Sequence, residues 1–331
     1  MKSVLQVTVM LLNIMISLQS AVASGDEKAG TTAATFLKLG IGARAAAMGY
    51  SGIALANDAS SVYWNPALLS HIDRMDVILS HNLWIAEMQH SFIGVAMPHE
   101  LGTLGAGVTM LRTGKQTRTE AAPGGGFVKT GDFTNLDIAA HVGVGVKLFE
   151  QMGIGVGAKV IYENLAEKST VAFAGDVGLY GRIEMVDIGV VGRNFGSQMK
   201  FNDVAYKLPT QILGGVAVHL LDNTLAVSAS GGNIGESKTQ FSFGAEFLPI
   251  EYVAVRGGYR TGFQDISGGL KGLTAGAGLN YGDIKIDYAF NAYGDLGATH
   301  HITLGFKLGG TNPKPEPSSA LTTTVAKPAA R

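Results

Sequence analysis

Residues 284–292 read IKIDYAFNA and residues 299–308 read THHITLGFKL. In the first stretch Ile284, Ile286, Tyr288 and Phe290 fall on one side of an extended chain, with Lys285, Asp287 and Asn291 on the other. In the second, Ile302, Leu304, Phe306 and Leu308 alternate with His301, Thr303, Gly305 and Lys307. Side chains one residue apart on a strand point to opposite faces, so a period of two reads as β-structure with one apolar face. The same alternation appears earlier: Phe241, Phe243, Ala245 and Phe247 against Ser242, Gly244 and Glu246, and Val142, Val144, Val146 and Leu148 against Gly143, Gly145 and Lys147. Extended to the whole chain, it predicts fourteen strands at 75–81, 88–97, 103–112, 135–148, 153–164, 171–182, 185–194, 211–220, 223–231, 238–247, 251–260, 270–281, 283–292 and 299–308.

Alternation alone does not say what the apolar face meets. Three features favour lipid. The other face is mostly Gly, Ala, Ser and Thr with about one charge per strand, far sparser than a water-exposed surface. Those charges are Lys147, Lys159, Arg182, Arg193, Glu246, Arg256, Lys285, Asp287 and Lys307, and they are the candidates to face a barrel lumen. The strands run to roughly ten residues, the length of a tilted strand crossing a bilayer. Aromatics such as Phe149, Phe195, Phe247, Tyr252, Tyr281 and Tyr293 gather near strand ends, where interfacial girdles sit. Short connections (98–102, 149–152, 183–184, 221–222, 248–250, 282) alternate with mostly longer ones (82–87, 113–134, 165–170, 195–210, 232–237, 261–269, 293–298). Outer-membrane barrels alternate short periplasmic turns with longer outer loops. The expected fold class is therefore all-β: a transmembrane antiparallel β-barrel of about fourteen strands with a short N-terminal helical plug or hatch. An even strand count places both barrel ends, and the start of the plug, on the short-turn side.

Composition agrees. Of 331 residues, 15% are charged, Gly numbers 46, the formal net charge is -1 and mean hydropathy is +0.22. Typical soluble proteins carry about 25% charged residues. No basic block invites nucleic acid. There is no cysteine, hence no disulfide framework or thiolate metal site. Residues 1–23 read as a secretory signal peptide: Lys2, an apolar core from Val4 to Leu18, and the small-x-small site Ala21-Val22-Ala23. Cleavage there implies delivery to a Gram-negative-type outer membrane, with membrane lipid as the surroundings. The lead-in and plug span 24–74 and the barrel 75–308. Residues 309–331, rich in Pro, Thr and Ala, are expected to be a disordered tail.

The plug stretch is LGIGARAAAMGYSGIALANDASSVYWNPALLS, Leu39–Ser70. Four glycines argue against one long helix, although Ala43–Met48 suits a short one and Asp58 a turn cap. Asn65-Pro66 is a turn initiator. Arg44, Asp58, Trp64, Asn65 and Pro66 are the candidate hatch residues, with Arg44 and Asp58 placed to pair with lumen charges.

The blocks Gly42-Ala-Arg-Ala-Ala-Ala-Met-Gly49, Ala56-Asn-Asp-Ala59 and Trp64-Asn-Pro-Ala67, followed by the Gly-rich barrel pattern, resemble the PorV/PorQ family of outer-membrane proteins. That family is related to the FadL long-chain fatty acid transporters. Tyr50, Asn57 and Leu68 depart from its usual residues, which are Gly, an acid and Gly. The resemblance implies one of two roles. FadL-type members pass hydrophobic small molecules through a barrel blocked by an N-terminal hatch. PorV-type members bind exported protein cargo in type IX secretion. Aromatics lining the lumen beside the hatch would favour transport. An exposed apolar loop at Leu83-Trp-Ile-Ala86 would favour a protein partner.

Other candidates read as structural. His300 and His301 point to opposite faces of a strand, so they do not share an ion, and no metal or cofactor is expected. The runs Gly143/Gly145, Gly153/Gly155/Gly157 and Gly276/Gly278 sit inside strands and relieve crowding at the wall rather than binding nucleotide. No nucleophile or metalloprotease motif occurs, so no catalytic residue is assigned and an enzyme is not expected.

Overall fold

A computed structural model describes residues 30–166, 168–262 and 266–310. The expected signal peptide (1–23), the first residues of the lead-in and the expected tail from 311 lie outside the described residues.

Eighteen strands occur among the described residues. They are β1 (Met75–Leu83), β2 (Gln89–His99), β3 (Gly102–Arg112), β4 (Gln116–Ala121), β5 (Phe127–Phe133) and β6 (Leu136–Phe149). There follow β7 (Met152–Leu165), β8 (Lys168–Ile183), β9 (Val186–Gly196), β10 (Met199–Phe201), β11 (Val204–Tyr206) and β12 (Gln211–Leu220). The last are β13 (Leu225–Ile234), β14 (Ser237–Ile250), β15 (Val253–Arg260), β16 (Leu273–Tyr281), β17 (Ile284–Ala292) and β18 (Ala298–Leu308). Fourteen of them close into one barrel in the order β1-β18-β17-β16-β15-β14-β13-β12-β9-β8-β7-β6-β3-β2. All fourteen barrel strands expected from the alternation are present. The seam is β1 on β18, where Met75 opposes Leu308 and Leu83 opposes His300. Closure leaves no sheet edge, as a lipid surround demands of backbone N–H and C=O groups. No helix among the described residues is long and apolar enough to cross a membrane.

The two longest loops hold structure that their composition hid. β4–β5 and β10–β11 are separate two-stranded hairpins outside the barrel sheet. No residue of β4 or β5 is buried, so that Gly/Thr/Lys-rich sequence carries no two-residue apolar period, whereas β10 alternates Met199 and Phe201 about Lys200 over only three residues, too short a run to read as a strand.

Burial follows the alternation. Along β17, Ile286, Tyr288 and Phe290 are exposed on the outside, while Asp287, Ala289 and Asn291 are buried inside. The barrel thus inverts a soluble one: its apolar side chains point out and its polar side chains point in. What buries the polar face is the segment 30–74, which fills the lumen. It holds a 3-10 turn at Thr35–Lys38, short helices at Ala43–Ala47 and Ser61–Trp64, and a 3-10 turn at Pro66–His71.

The direction of this segment corrects the expectation that it starts at the short-turn end. Thr32 bridges Lys207 between β11 and β12, and Lys38 pairs with Glu236 at 2.9 Å in the β13–β14 connection, both at the long-loop end. The chain then descends through the lumen and leaves at the short-turn end into Met75. The even strand count fixes where β1 begins, but says nothing about the path of the chain before it.

Small inner-wall residues make room for this packing. A Cβ on Gly145 would stand 2.7 Å from the Pro66 carbonyl oxygen, and one on Gly258 would stand 2.5 Å from the Met48 carbonyl carbon. At these points hatch backbone lies directly on strand backbone.

Candidate functional site: the hatch and the pocket above it

The sequence dictates the hatch in short pieces. Gly42 supplies φ 80 before the helix Ala43–Ala47, a conformation that L side chains disfavour. The Asp58 carboxylate accepts from the Ser60 amide at 3.0 Å. Asn65 caps the next turn: its Oδ1 accepts from the Ala67 amide at 3.1 Å, and Pro66 stands in the first turn. Asn65 Nδ2 donates to the carbonyls of Ile53 (3.2 Å) and Leu179 (3.1 Å), so one fully buried amide ties two hatch loops to β8.

Arg44 joins the hatch to the wall. Its Nε donates to Glu246 Oε2 at 2.9 Å and its Nη2 to Oε1 at 2.7 Å, while Nη1 reaches the Leu55 carbonyl at 3.0 Å. Burial pulls the guanidinium pKa down, but the Glu246 carboxylate outweighs burial and holds it above the ordinary arginine value. Beyond Glu246 the charges continue along the wall: Arg256 Nε donates to Glu246 at 2.6 Å, Arg256 Nη1 to Asp287 at 2.6 Å, and Lys285 lies 3.5 Å from Asp287. Asp58 does not join this chain; it stays in its own turn.

The other candidate lumen charges divide by depth. Lys159 is buried and paired with Asp176 at 2.7 Å. Arg182 clasps Asp187, with its Nη2 2.7 Å from Oδ2, but its side chain is half exposed. Lys147 and Lys307 belong to the inward series yet lie exposed at the short-turn rim. Inward parity did not reveal depth, because a strand's last inward residue sits beyond the hatch. Near the short turns, Arg182, Lys285 and Lys307 line a cavity of about 500 Å³ with Arg44, Asp58 and Glu246.

On the long-loop side of the hatch lies a pocket of about 40 Å³ walled by Tyr50, Tyr63 and Trp64 with Arg193, Arg260 and Leu213. Arg193 is buried: it donates to the Tyr63 carbonyl at 3.0 Å and to Gln211 Oε1, and its guanidinium carbon sits 5.0 Å from the Tyr63 ring and 5.8 Å from the Trp64 ring. Arg260 donates through Nε to Gln240 at 3.0 Å and lies 5.2 Å over the Tyr50 ring. Burial raises the pKa of the Tyr50 phenol well above its ordinary value, so it is a neutral hydroxyl. A small volume between the two cavities is lined by Trp64 from the upper pocket and by Arg44 from the lower cavity.

Sequence reasoning singled out Trp64 and Arg193 but missed Tyr50, Tyr63, Gln211 and Arg260 as pocket residues. Tyr50 had one signal, its departure from the family's usual glycine. Its φ is 68, a conformation in which glycine is unstrained. His301 and His300 part as expected, His301 inward against Tyr50 at 3.0 Å and His300 outward against Tyr288 at 2.8 Å. Trp84 turns in and packs edge-on against Tyr293, ring centroids 5.0 Å apart.

This architecture has known counterparts. The toluene transporter TodX of Pseudomonas putida superposes with TM-score 0.59 at 11% identity, over 82% of this chain and 99% of that one. The Ralstonia pickettii toluene transporter TbuX gives 0.58 at 15% identity, with the same coverage of 82% and 99%. A Pseudomonas aeruginosa FadL homologue gives 0.56 at 10% identity, again over 82% and 99%. At such identities the likeness is one of fold. No curated protein sequence matches significantly. The family model for outer membrane protein transport protein (OMPP1/FadL/TodX) matches residues 27–196, about half of the chain, and covers the hatch and the barrel strands as far as β9. The chain therefore belongs to the OMPP1/FadL/TodX family of outer-membrane transport proteins.

Proposed function

We propose that this barrel carries small hydrophobic molecules across the outer membrane past its N-terminal hatch, once the predicted signal peptide has been removed. The observation that carries the reading is the aromatic cluster of Tyr50, Tyr63 and Trp64 on the long-loop side of the hatch, around a volume of about 40 Å³ that must widen before a toluene-sized solute enters. Ligand sites combine apolar and aromatic walls with a few fixed polar groups, and here Arg193, Gln211 and Gln240 supply them. The guanidiniums already have acceptors and aromatic faces, so an uncharged solute meets no unpaired cation beyond one Arg193 Nε. The names of the toluene transporters support the same substrate class.

The test uses the two tryptophans of the chain. With Trp84→Phe, the emission reports Trp64 alone, and bromooctane added to the barrel in lipid nanodiscs should quench it saturably. Cells producing the barrel should accumulate labelled toluene faster than cells without it, and Trp64→Ala should remove that gain. Absence of both saturable quenching and the uptake gain would overturn the transport reading.

The finer resemblance to PorV/PorQ proteins supports a second reading, a type IX secretion barrel that binds exported cargo. The favouring observation is the β4–β5 hairpin, which projects with both faces solvent-exposed and Phe127 80% exposed. Stoichiometric co-purification of an exported protein, lost when residues 116–133 are deleted, would favour this reading over transport.

A further inference from the structure

The outward faces of β18, β1 and β2 carry polar side chains at one level. His81 of β1, Ser91 of β2 and His300 of β18 all face outward, and each is the third residue from the long-loop end of its strand. His81 opposes Ser91 on one side and Ile302 on the other, while Leu83 opposes His300. The two histidines are therefore diagonal neighbours across the seam that closes the barrel, about 7–8 Å apart between Cα atoms. A hydroxyl holds each ring: Ser91 Oγ lies 2.9 Å from His81 Nδ1, and Tyr288 Oη of β17 lies 2.8 Å from His300 Nδ1. A hydroxyl that donates to Nδ1 leaves the imidazole proton on Nε2, so each exposed ring keeps one N–H for the surroundings. In the row of His300 and Leu83, Gln89 opposes Arg112, the last residue of β3, and both are exposed. Glu87, the acid of the β1–β2 connection, lies against Gly114, past the end of β3.

Toward the short turns the same wall is apolar and hollowed. A cavity of about 450 Å³ is lined there by Leu79, Ile93, Val108, Met110, Ile302 and Leu304, together with His81 and Ser91. Behind it β1 pairs with β2, and β2 with β3, without a shift in register. The cavity is thus a groove in the outer surface with a closed ladder as its floor. A second barrel is a poor cover for it, because a convex wall would rest on the rims and forfeit the contacts of the floor. A flexible hydrocarbon chain can follow the groove. An amphiphile in it would bring its head to the level of the histidines, where polar groups turned to lipid need partners.

We propose that this groove is a specific site for a phosphate-headed lipid of the outer leaflet, one acyl chain in the groove and the head on His81, His300, Gln89 and Arg112. Three of these are neutral N–H donors and the fourth is a guanidinium, a set that matches the acceptor oxygens and charge of a phosphate. A diacylglycerol offers the same chains without the anion and should be held less well. The proposal does not rest on the transport reading: a barrel that fails to raise toluene uptake leaves it standing.

The experiment is native mass spectrometry of the barrel in maltoside micelles with dimyristoyl phosphatidic acid or dimyristoyl glycerol. One phosphatidic acid should stay bound under activation that strips the diacylglycerol. His81→Leu/His300→Leu should weaken phosphatidic acid binding about tenfold, and Val108→Trp, which fills the groove without touching the donors, should weaken it as much. Tyr259→Leu removes an outward hydroxyl from β15, away from the groove, and should change nothing. These substitutions place apolar side chains toward lipid, so the barrels should fold, as gel mobility before and after heating would show. Equal retention of the two lipids would overturn the proposal. So would binding undiminished by the histidine pair's removal or by Val108→Trp, or an equal loss in Tyr259→Leu. Dimers that Val108→Trp separates would also overturn it, giving this face to a second copy of the chain.

Discussion

The Tyr50 hydroxyl lies 3.0 Å from His301 Nε2, joining the hatch to the strand that closes the barrel. The Asn291 amide, oriented to donate to the Ala46 carbonyl at 3.3 Å, accepts from the same hydroxyl at 2.8 Å. With that assignment His301 carries its proton on Nε2 and donates to Tyr50. Tyr50 thus satisfies two buried wall groups from a left-handed backbone position.

Two substitutions separate these roles. Tyr50→Phe keeps the ring and strands His301 and Asn291, so it should destabilise the barrel by about 1–3 kcal/mol while leaving quenching of Trp64 by bromooctane unchanged. Tyr50→Gly relieves the backbone and removes one pocket wall. It should tighten or speed bromooctane quenching several-fold, read by the same titration.

Breaking the hatch-to-wall pair should loosen the lower side of the hatch. Arg44→Ala leaves Glu246 with Arg256 alone and is expected to cost about 3 kcal/mol. In planar bilayers the variant should pass ion current that the parent does not, because the hatch closes the lumen beside the short-turn cavity. Silent bilayers, together with unaltered unfolding in urea, would show that Arg44 is not a tether.

Arg256 reaches Asp287 across β16 only because Gly278 lies between them. A Cβ at Gly278 would meet Asp287 Oδ1 and stand 2.6 Å from Arg256 Nη1. Gly278→Ala should therefore destabilise by about 1–3 kcal/mol. Gly181→Ala, whose nearest neighbours would be 3.9 Å away, should be close to neutral in the same urea titration.

His71 gives the hatch a pH dependence. Its ring packs edge-on against Tyr180 at 4.6 Å, and Nδ1 meets Ser70 Oγ at 2.8 Å. Burial, then the neighbouring cations Lys147 and Arg182, lower its pKa from the ordinary value. A lowered histidine pKa means that the unfolded chain binds the proton first. The folded state carries no penalty above the ordinary value of about 6.5, and a growing one as pH falls below it. Stability in urea should drop on going from about pH 7.5 to about pH 5, and His71→Gln should flatten that drop.

The sequence by itself determined the barrel. A period of two with apolar side chains on one face, a charge-poor opposite face and alternating connection lengths leaves one arrangement that satisfies every backbone group in lipid. It also marked the hatch, because the stretch around Asn65-Pro66 lacks that period, and it marked the inward glycines as points of crowding. Tertiary structure alone decided the rest. Arg44 and Glu246 are 202 residues apart, and no local pattern records which lumen charge meets which. Parity told which face Lys147 and Lys307 occupy but not that they lie beyond the hatch, since depth depends on register and on where the plug stops. The entry of the N-terminal segment from the long-loop end, and the packing of Phe36 and Leu37 against Ala139, Ile161 and Ala172 of the wall, arise from the complementarity of distant surfaces. Periodicity is a property of one strand, whereas the pocket is a property of the closed ring and of the chain threaded through it.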